Sequence, residues 1–174
     1  MLNFSQKNNF SYKYFNDQNK QIEIKRVLNY LIKPEFRDYI IDKLFNYFFD
    51  NVSEKKISKL YYLNNKEIKE MAKNGMIIGS HTNTHPVLTN LSSKNWKKEI
   101  SYSVDKFSYY NLNKAKTFCY PYGVKKTYNK EIKDYLNKLD VHFSVTAEQK
   151  NINNYHLTKN RQELPRFDCY NFFK

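Results

Sequence analysis

Glycine and proline are scarce, at 3 and 4 of 174 residues. An all-β chain with a tight turn every ten or so residues is hard to build from so few, and a helix-rich or α/β domain fits better. Cysteine occurs only at Cys119 and Cys169, which makes no disulfide framework. Cys119 sits in an apolar, strand-like run where a buried thiol is expected. Arginine is confined to Arg26, Arg37, Arg161 and Arg166, so the net charge of +13 is almost wholly lysine. Lysine lacks the planar fork that reads phosphates and base edges, and here it forms only scattered doublets such as Lys55-Lys56, Lys97-Lys98 and Lys125-Lys126. The charge reads as a compositional bias, with no specific nucleic-acid partner expected. No apolar run approaches a membrane span, and Met1 to Asn9 lacks the apolar stretch of a secretory signal. The chain as written is expected to be cytoplasmic, unless its true N-terminus lies upstream.

What is present is enough to fold. The chain is 40% hydrophobic and 17% aromatic, sufficient for one domain with a real core. The first twenty residues show no period and read as a loop or ragged terminus. Ile24, Val27, Leu28, Leu31 and Ile32 predict a helix over 21–32. Pro34 opens a second helix, with Phe36, Tyr39, Ile40, Leu44, Phe45 and Phe48 on one face; the two helices suit a hairpin or the cover of a sheet. Ser53 and Asn64 are expected to cap two short helices, the second stopped by Gly75. Met76 to Gly79 then reads as a short buried strand. A helix opened by Ser92 or Ser93 buries Trp96, Ile100, Val104 and Phe107. Thr117 to Tyr120 is a strand closed by Pro121-Tyr122-Gly123. A helix from about 127 to 139 aligns Tyr128, Ile132, Leu136 and Leu139. Val141 to Thr146 and Leu164 to Phe167 are further extended segments. Alternation of helix and strand favours parallel βα units.

The chemistry concentrates in Ser80-His81-Thr82-Asn83-Thr84-His85-Pro86. Two histidines four apart can share a metal ion. A helix is disfavoured by the polar, β-branched and proline flanks, and no Glu follows the first His as in helical zinc proteases. The pair is expected on a loop past the strand at 76–79, at the strand end where α/β folds place their sites. Taken alone, such a pair also suits ordinary surface or core histidines.

The surrounding residues narrow the choice. The run from Lys69 to Pro86, with a helix, Gly75, a short strand ending in Gly79-Ser80-His81, and His85 before Pro86, resembles the second motif region of the polysaccharide deacetylases, the NodB-homology carbohydrate esterases of family 4. Leu88-Thr89 and Leu91-Ser92 match that family's approach to its next helix. Phe118-Cys119-Tyr120-Pro121-Tyr122-Gly123 resembles its third motif, and Leu164-Pro165-Arg166-Phe167 a later strand. The resemblance covers roughly residues 60 to 168. It divides the chain into a helical segment over 1–60, as an insertion or lead-in, and a deacetylase-like portion over 61–174 within one domain. The fold it implies is α/β, a partial or distorted (β/α) barrel with an N-terminal helical segment. It implies hydrolysis of N-acetyl or O-acetyl groups on a glycan substrate, with a divalent metal, zinc foremost, on His81 and His85. The metal polarises the acetyl carbonyl and acidifies a water. The Tyr122 backbone N–H carries over as an oxyanion donor. Arg166 is a candidate for orienting a carboxylate in the site, or for pairing at the rim.

The chain also departs from the family. The first motif, Thr-Phe-Asp-Asp-Gly or a variant, supplies the base and third metal ligand, and it is not found. Phe15-Asn16-Asp17-Gln18 is the nearest string; Asp38, Asp42 and Asp50 read as solvated charges on or beside a helix. Cys119 stands where the family often has Arg. The late Leu-x-His motif is missing, and His142 and His156 read as structural or surface residues. These departures suggest a truncated or split chain, inactive alone and partnered by a separate N-terminal fragment. The alternatives are a non-catalytic, vestigial or carbohydrate-binding relative, and less so a basic nucleic-acid-binding protein.

Overall fold

The structure is a computed structural model that describes residues 20–49, 52–110 and 115–169. The loop expected for the N-terminal residues, the Phe15-Asn16-Asp17-Gln18 string and Asp50 lie outside these residues. The chain divides into two compact units, Met1–Ser58 and Lys59–Lys174. It is mixed α/β, mostly helical with few short strands. Among the described residues no helix is long and apolar enough to cross a membrane.

In the first unit, α1 (Lys20–Arg26) runs into a π-helical turn over Val27–Leu31, closed by the Ile32 N–H on the Val27 carbonyl at 3.1 Å. α2 (Pro34–Phe48) begins with proline in its first turn, where its missing N–H costs nothing. The expected apolar stripe of α2 is not buried. Phe36, Tyr39, Leu44 and Phe48 are exposed, and Ile40 and Phe45 only half-buried. Periodicity places these side chains on one face, but what covers that face is decided elsewhere in the chain. Asp38 and Asp42 are exposed, as expected of solvated charges. α3 (Glu54–Tyr61) spans the boundary of the units, and Ser53 Oγ accepts from Lys56 N at 3.3 Å.

The second unit carries the parallel ladder. α4 (Asn65–Lys73) opens with a capping box: Asn64 accepts from the Lys66 and Glu67 amides, and Glu67 accepts from Asn64 N. It ends at Gly75, whose φ of 94° is the conformation glycine reaches without strain. The strand expected over 76–79 does not form. Met76 and Ile77 are half exposed, and the segment joins the ladder only at Ser80, which pairs in parallel with Phe118. α5 (Ser93–Ser108) follows, with Ser92 as its N-cap. β1 (Thr117–Cys119) pairs in parallel with β2 (Phe143–Val145). α6 (Lys130–Lys138) lies between them in sequence, capped by Asn129. α7 (Asn154–Lys159) and a 3-10 turn over Arg161–Glu163 lead to Leu164, which pairs in parallel with Val145. The order across the ladder is therefore Ser80, β1, β2, Leu164, sequential in the chain, with a helix between each pair.

The core lies between this ladder and α5 and α6. Trp96, Ile100 and Val104 of α5, Phe118 of β1, Tyr120, and Ile132 and Leu136 of α6 form one buried cluster with Leu88, Tyr128 and Val141. Phe107 and Leu139, expected in these stripes, are half-buried at the ends of their helices. Tyr120 and Tyr128 stack with ring centroids 4.2 Å apart. Burial pushes both phenols well above their ordinary range, so each serves as a hydroxyl donor, Tyr120 to the Gln162 carbonyl at 2.7 Å and Tyr128 to Glu163 Oε1 at 2.9 Å.

Glu163 joins this core to the surface. Desolvation opposes its charge, but hydrogen bonds from Lys133 Nζ, Asn160 Nδ2 and Tyr128 outweigh it and hold the carboxyl down at about 2, against an ordinary 4.5. A folded-state value below the unfolded one gives stability that is fully present above 4.5 and is lost as pH falls toward about 2. In Glu163→Gln, thermal unfolding should vary less with pH between 5 and 2 than in the parent. An equal acid-side slope in both proteins would show that Glu163 does not carry this dependence.

Candidate functional site

Ser80 is fixed to β1 by two backbone hydrogen bonds, its N–H to Thr117 O at 2.9 Å and its carbonyl accepting from Cys119 N at 2.8 Å. Its hydroxyl meets the Ser103 hydroxyl of α5 at 2.6 Å in a buried contact. Gly79 is required by close approach: a Cβ there would lie 2.6 Å from Thr117 Oγ1. The chain thus leaves the ladder at one defined point, and His81 is the next residue.

His81 is half-buried, with Nδ1 2.7 Å from the carbonyl oxygen of Cys119, the last residue of β1. A carbonyl can only accept, so Nδ1 carries the hydrogen and the neutral ring keeps its lone pair on Nε2. This backbone hydrogen bond is the kind that orients an imidazole as a metal ligand. His85 is exposed and lies with its ring centroid 4.7 Å from that of His81, at an interplanar angle of 67°. The Tyr122 ring lies 4.8 Å from His85. The expected loop geometry is observed: residues 81–86 are not helical, and the two histidines are brought together beside Tyr122.

The backbone here is unusual. Thr82, His85 and Tyr122 have φ of 65°, 56° and 62°, a left-handed conformation that costs a non-glycine residue roughly 1–2 kcal/mol. Something must hold the loop in place, and two contacts do. Buried Thr82 accepts the His85 N–H on Oγ1 at 3.1 Å. Glu99, from α5, accepts the Asn83 N–H at 2.9 Å, the Thr84 N–H at 2.8 Å and the Thr84 hydroxyl at 3.0 Å. Sequence reasoning does not single out Glu99, because on a surface helix it reads as one more solvated charge. The only available signal was its place on α5, three residues after buried Trp96. Across from the histidine loop, Gly123 allows the Pro121–Gly123 turn to close on Ala147, where a Cβ would lie 2.6 Å from the Ala147 nitrogen.

Glu99→Ala is expected to free the loop without unfolding the domain, since Glu99 is only half-buried and its hydrogen bonds go to residues 83 and 84. Hydrogen exchange at the Asn83 and Thr84 amides should accelerate by about 10-fold or more, the equivalent of one charge-assisted hydrogen bond. Exchange unchanged at both amides would show that the loop holds itself.

Arg166 is exposed at the end of the Leu164 segment, its N–H on Glu148 O at 2.9 Å. Burial pushes the Cys119 thiol up, while the charge and hydrogen bonding of Arg166 pull it down, with burial prevailing. Cys119 is half-buried rather than buried as expected. His156 is buried and caps α7, its Nδ1 accepting from Asn153 N at 3.1 Å. His142 is exposed ahead of β2, with its N–H on Lys116 O at 2.8 Å. Neither lies among the contacts of the 81–85 loop. Among the described residues, no group of three or more His, Cys, Asp or Glu could hold a metal ion. The lone pair left on His81 Nε2 and the imidazole of His85 beside it are nitrogen donors of the type that suits a divalent transition metal.

The family model for polysaccharide deacetylase matches residues 34–144. That span includes the histidine loop, α5, β1 and the Tyr122 turn. No curated protein matches the chain.

Proposed function

From the premise that the chain belongs to the polysaccharide deacetylase family, we propose that it takes part in metal-dependent hydrolysis of N-acetyl or O-acetyl groups on a glycan, with His81 and His85 as two of the ligands to a divalent cation such as zinc. The observation that supports this reading most directly is the His81 ring, with Nδ1 committed to the Cys119 carbonyl and a neighbouring imidazole 4.7 Å away. A cation held there supplies Lewis-acid polarisation of the acetyl carbonyl. The chain's own residues do the rest of what can be assigned. Glu99 and Thr82 keep the two rings in one arrangement. The Tyr122 peptide N–H, on a turn fixed by Gly123 against Ala147, is the donor we assign to the developing oxyanion. Arg166, beside Cys119, places a positive charge where a carboxylate could be oriented. The sequential parallel ladder supports reading the second unit as a sector of a (β/α) barrel.

Among the described residues no third His, Cys, Asp or Glu joins the pair in a metal-holding group, and we propose that a separate polypeptide segment bearing the family's paired-aspartate motif supplies the base and the third ligand. The test is acetate release from an N-acetylglucosamine oligomer in the presence of zinc. The chain alone should release none. The chain joined to a segment bearing the family's paired-aspartate motif should release acetate, and His85→Ala should abolish it. Release that survives His85→Ala would sink the reading. A joined chain that binds zinc and glycan but never releases acetate would favour the second reading, a carbohydrate-binding relative without catalysis.

A further inference from the structure

The strands of the ladder are parallel, so their two ends face different chemistry. His81 and the Cys119 carbonyl stand at the C-terminal end. Val141 and His142 precede β2 and stand at the N-terminal end. At that end α6, α7 and the 3-10 turn of Arg161–Glu163 line an open-sided cleft of about 700 Å³, within the size range of small-molecule sites. Neither histidine of the 81–85 loop lines it.

Its lining has a definite character. Lys130, Lys159 and Arg161 face the cavity, and among the described residues none of the three makes an ion pair. Lys133 also lines it but is bound to Glu163 at 2.7 Å. Two carboxylates, Asp134 and Asp140, also line it, and among the described residues neither makes an ion pair. Three uncommitted cations against two carboxylates leave an excess suited to a single anionic group, too small for a polyanion. The carboxylates and the Asn137 amide suit hydroxyl groups. Asn137 is itself oriented, because Gln162 Nε2 donates to its Oδ1 at 2.9 Å and to the Val141 carbonyl at 2.7 Å. Tyr155 adds an aromatic face, 61% exposed, at the same cavity. An exposed aromatic ring beside amides, carboxylates and free cations is chemistry for a hydroxylated ring that bears one negative charge.

We propose that this cavity binds a hexose carrying one phosphate group, as a second site separate from the histidine pair and independent of the deacetylase reading. The phosphate lies among Lys130, Lys159 and Arg161, and the sugar ring lies on Tyr155 with its hydroxyls toward Asp134 and Asn137.

The test is calorimetric titration of the whole chain with glucose 6-phosphate, with inorganic phosphate and glucose as separate arms. Glucose 6-phosphate should bind at least about 10-fold more tightly than either arm, the gain expected when one charge-assisted contact is added to ring stacking. Lys159→Gln with Arg161→Gln should weaken it by about 10-fold or more. Tyr155→Ala should weaken glucose 6-phosphate and leave phosphate unchanged. These side chains lie on the surface, and circular dichroism of each variant checks that the fold is retained. His85→Ala should leave the affinity unchanged, so that failure here is distinguishable from failure of the deacetylase reading. Absence of binding, phosphate binding as tight as the sugar phosphate, or full affinity in the Lys159, Arg161 double variant overturns the proposal.

Discussion

Replacing His81 and His85 together by alanine should reduce cobalt or zinc binding by more than about 100-fold, a loss above the 10–100-fold typical of removing an outer-shell partner. The reason is geometric. His81 is set by the Cys119 carbonyl and the His85 backbone by Thr82, and the two rings sit 4.7 Å apart. The single variants should each lose most of the affinity, because one imidazole alone is a weak and unselective donor. Cobalt is the useful probe, since its visible spectrum reports nitrogen and oxygen coordination directly. Equal metal content in the parent and the double variant, measured on dialysed protein, would remove the chemical basis of the proposed function. The fold should survive both changes, because His85 is exposed and His81 only half-buried.

Phe118→Ala should instead cost stability, by about 3–5 kcal/mol, the usual range for a buried phenylalanine. Phe118 is 1% exposed and packs edge-on against Tyr120 at 5.3 Å. It belongs to the cluster that includes Ile100, Val104, Ile132 and Leu136. Its backbone pairs with Ser80 on one side and Ser144 on the other, so a cavity here also loosens the strand that holds Ser80 and, one residue on, His81. Urea denaturation followed by tryptophan fluorescence reads the effect, since Trp96 lies in the same cluster. A loss below about 1 kcal/mol would mean that the core collapses around the gap, and that α5, β1 and α6 are not tightly interlocked.

Much of this arrangement was legible in the sequence where one local signal sufficed. Asn64 with Glu67 three residues later, Ser92 before an apolar-periodic run, and the spacing of Trp96, Ile100 and Val104 each specify a helix and its buried face through contacts within a single turn or two. The helices at 65–73 and 93–108 form as those signals require, whereas the helix expected from about 127 begins only at Lys130, with Tyr128 extended ahead of its Asn129 cap. The Met76–Gly79 segment was less legible. Its apolar run suited a buried strand, but strand formation needs a paired neighbour in register, and only Ser80 has one in β1. The stripe of α2 was misleading for a related reason: periodicity aligns Phe36, Tyr39, Leu44 and Phe48 on one face but cannot provide the surface that would cover them.

The sequence by itself determined the residue types available for chemistry: two imidazoles in a Ser-His-Thr-Asn-Thr-His-Pro loop, and a Pro-Tyr-Gly turn far along the chain. It also determined the family, because those motifs occur in order with a helix between them. Only the tertiary structure decided that Glu99 grips the loop, that the Cys119 carbonyl sets the His81 tautomer, and that Thr82, His85 and Tyr122 accept a left-handed backbone. The first two depend on groups 16 and 38 residues apart in the chain meeting at one end of a parallel ladder. Local propensity cannot encode such meetings, because closing those loops costs entropy that only the packed core offsets.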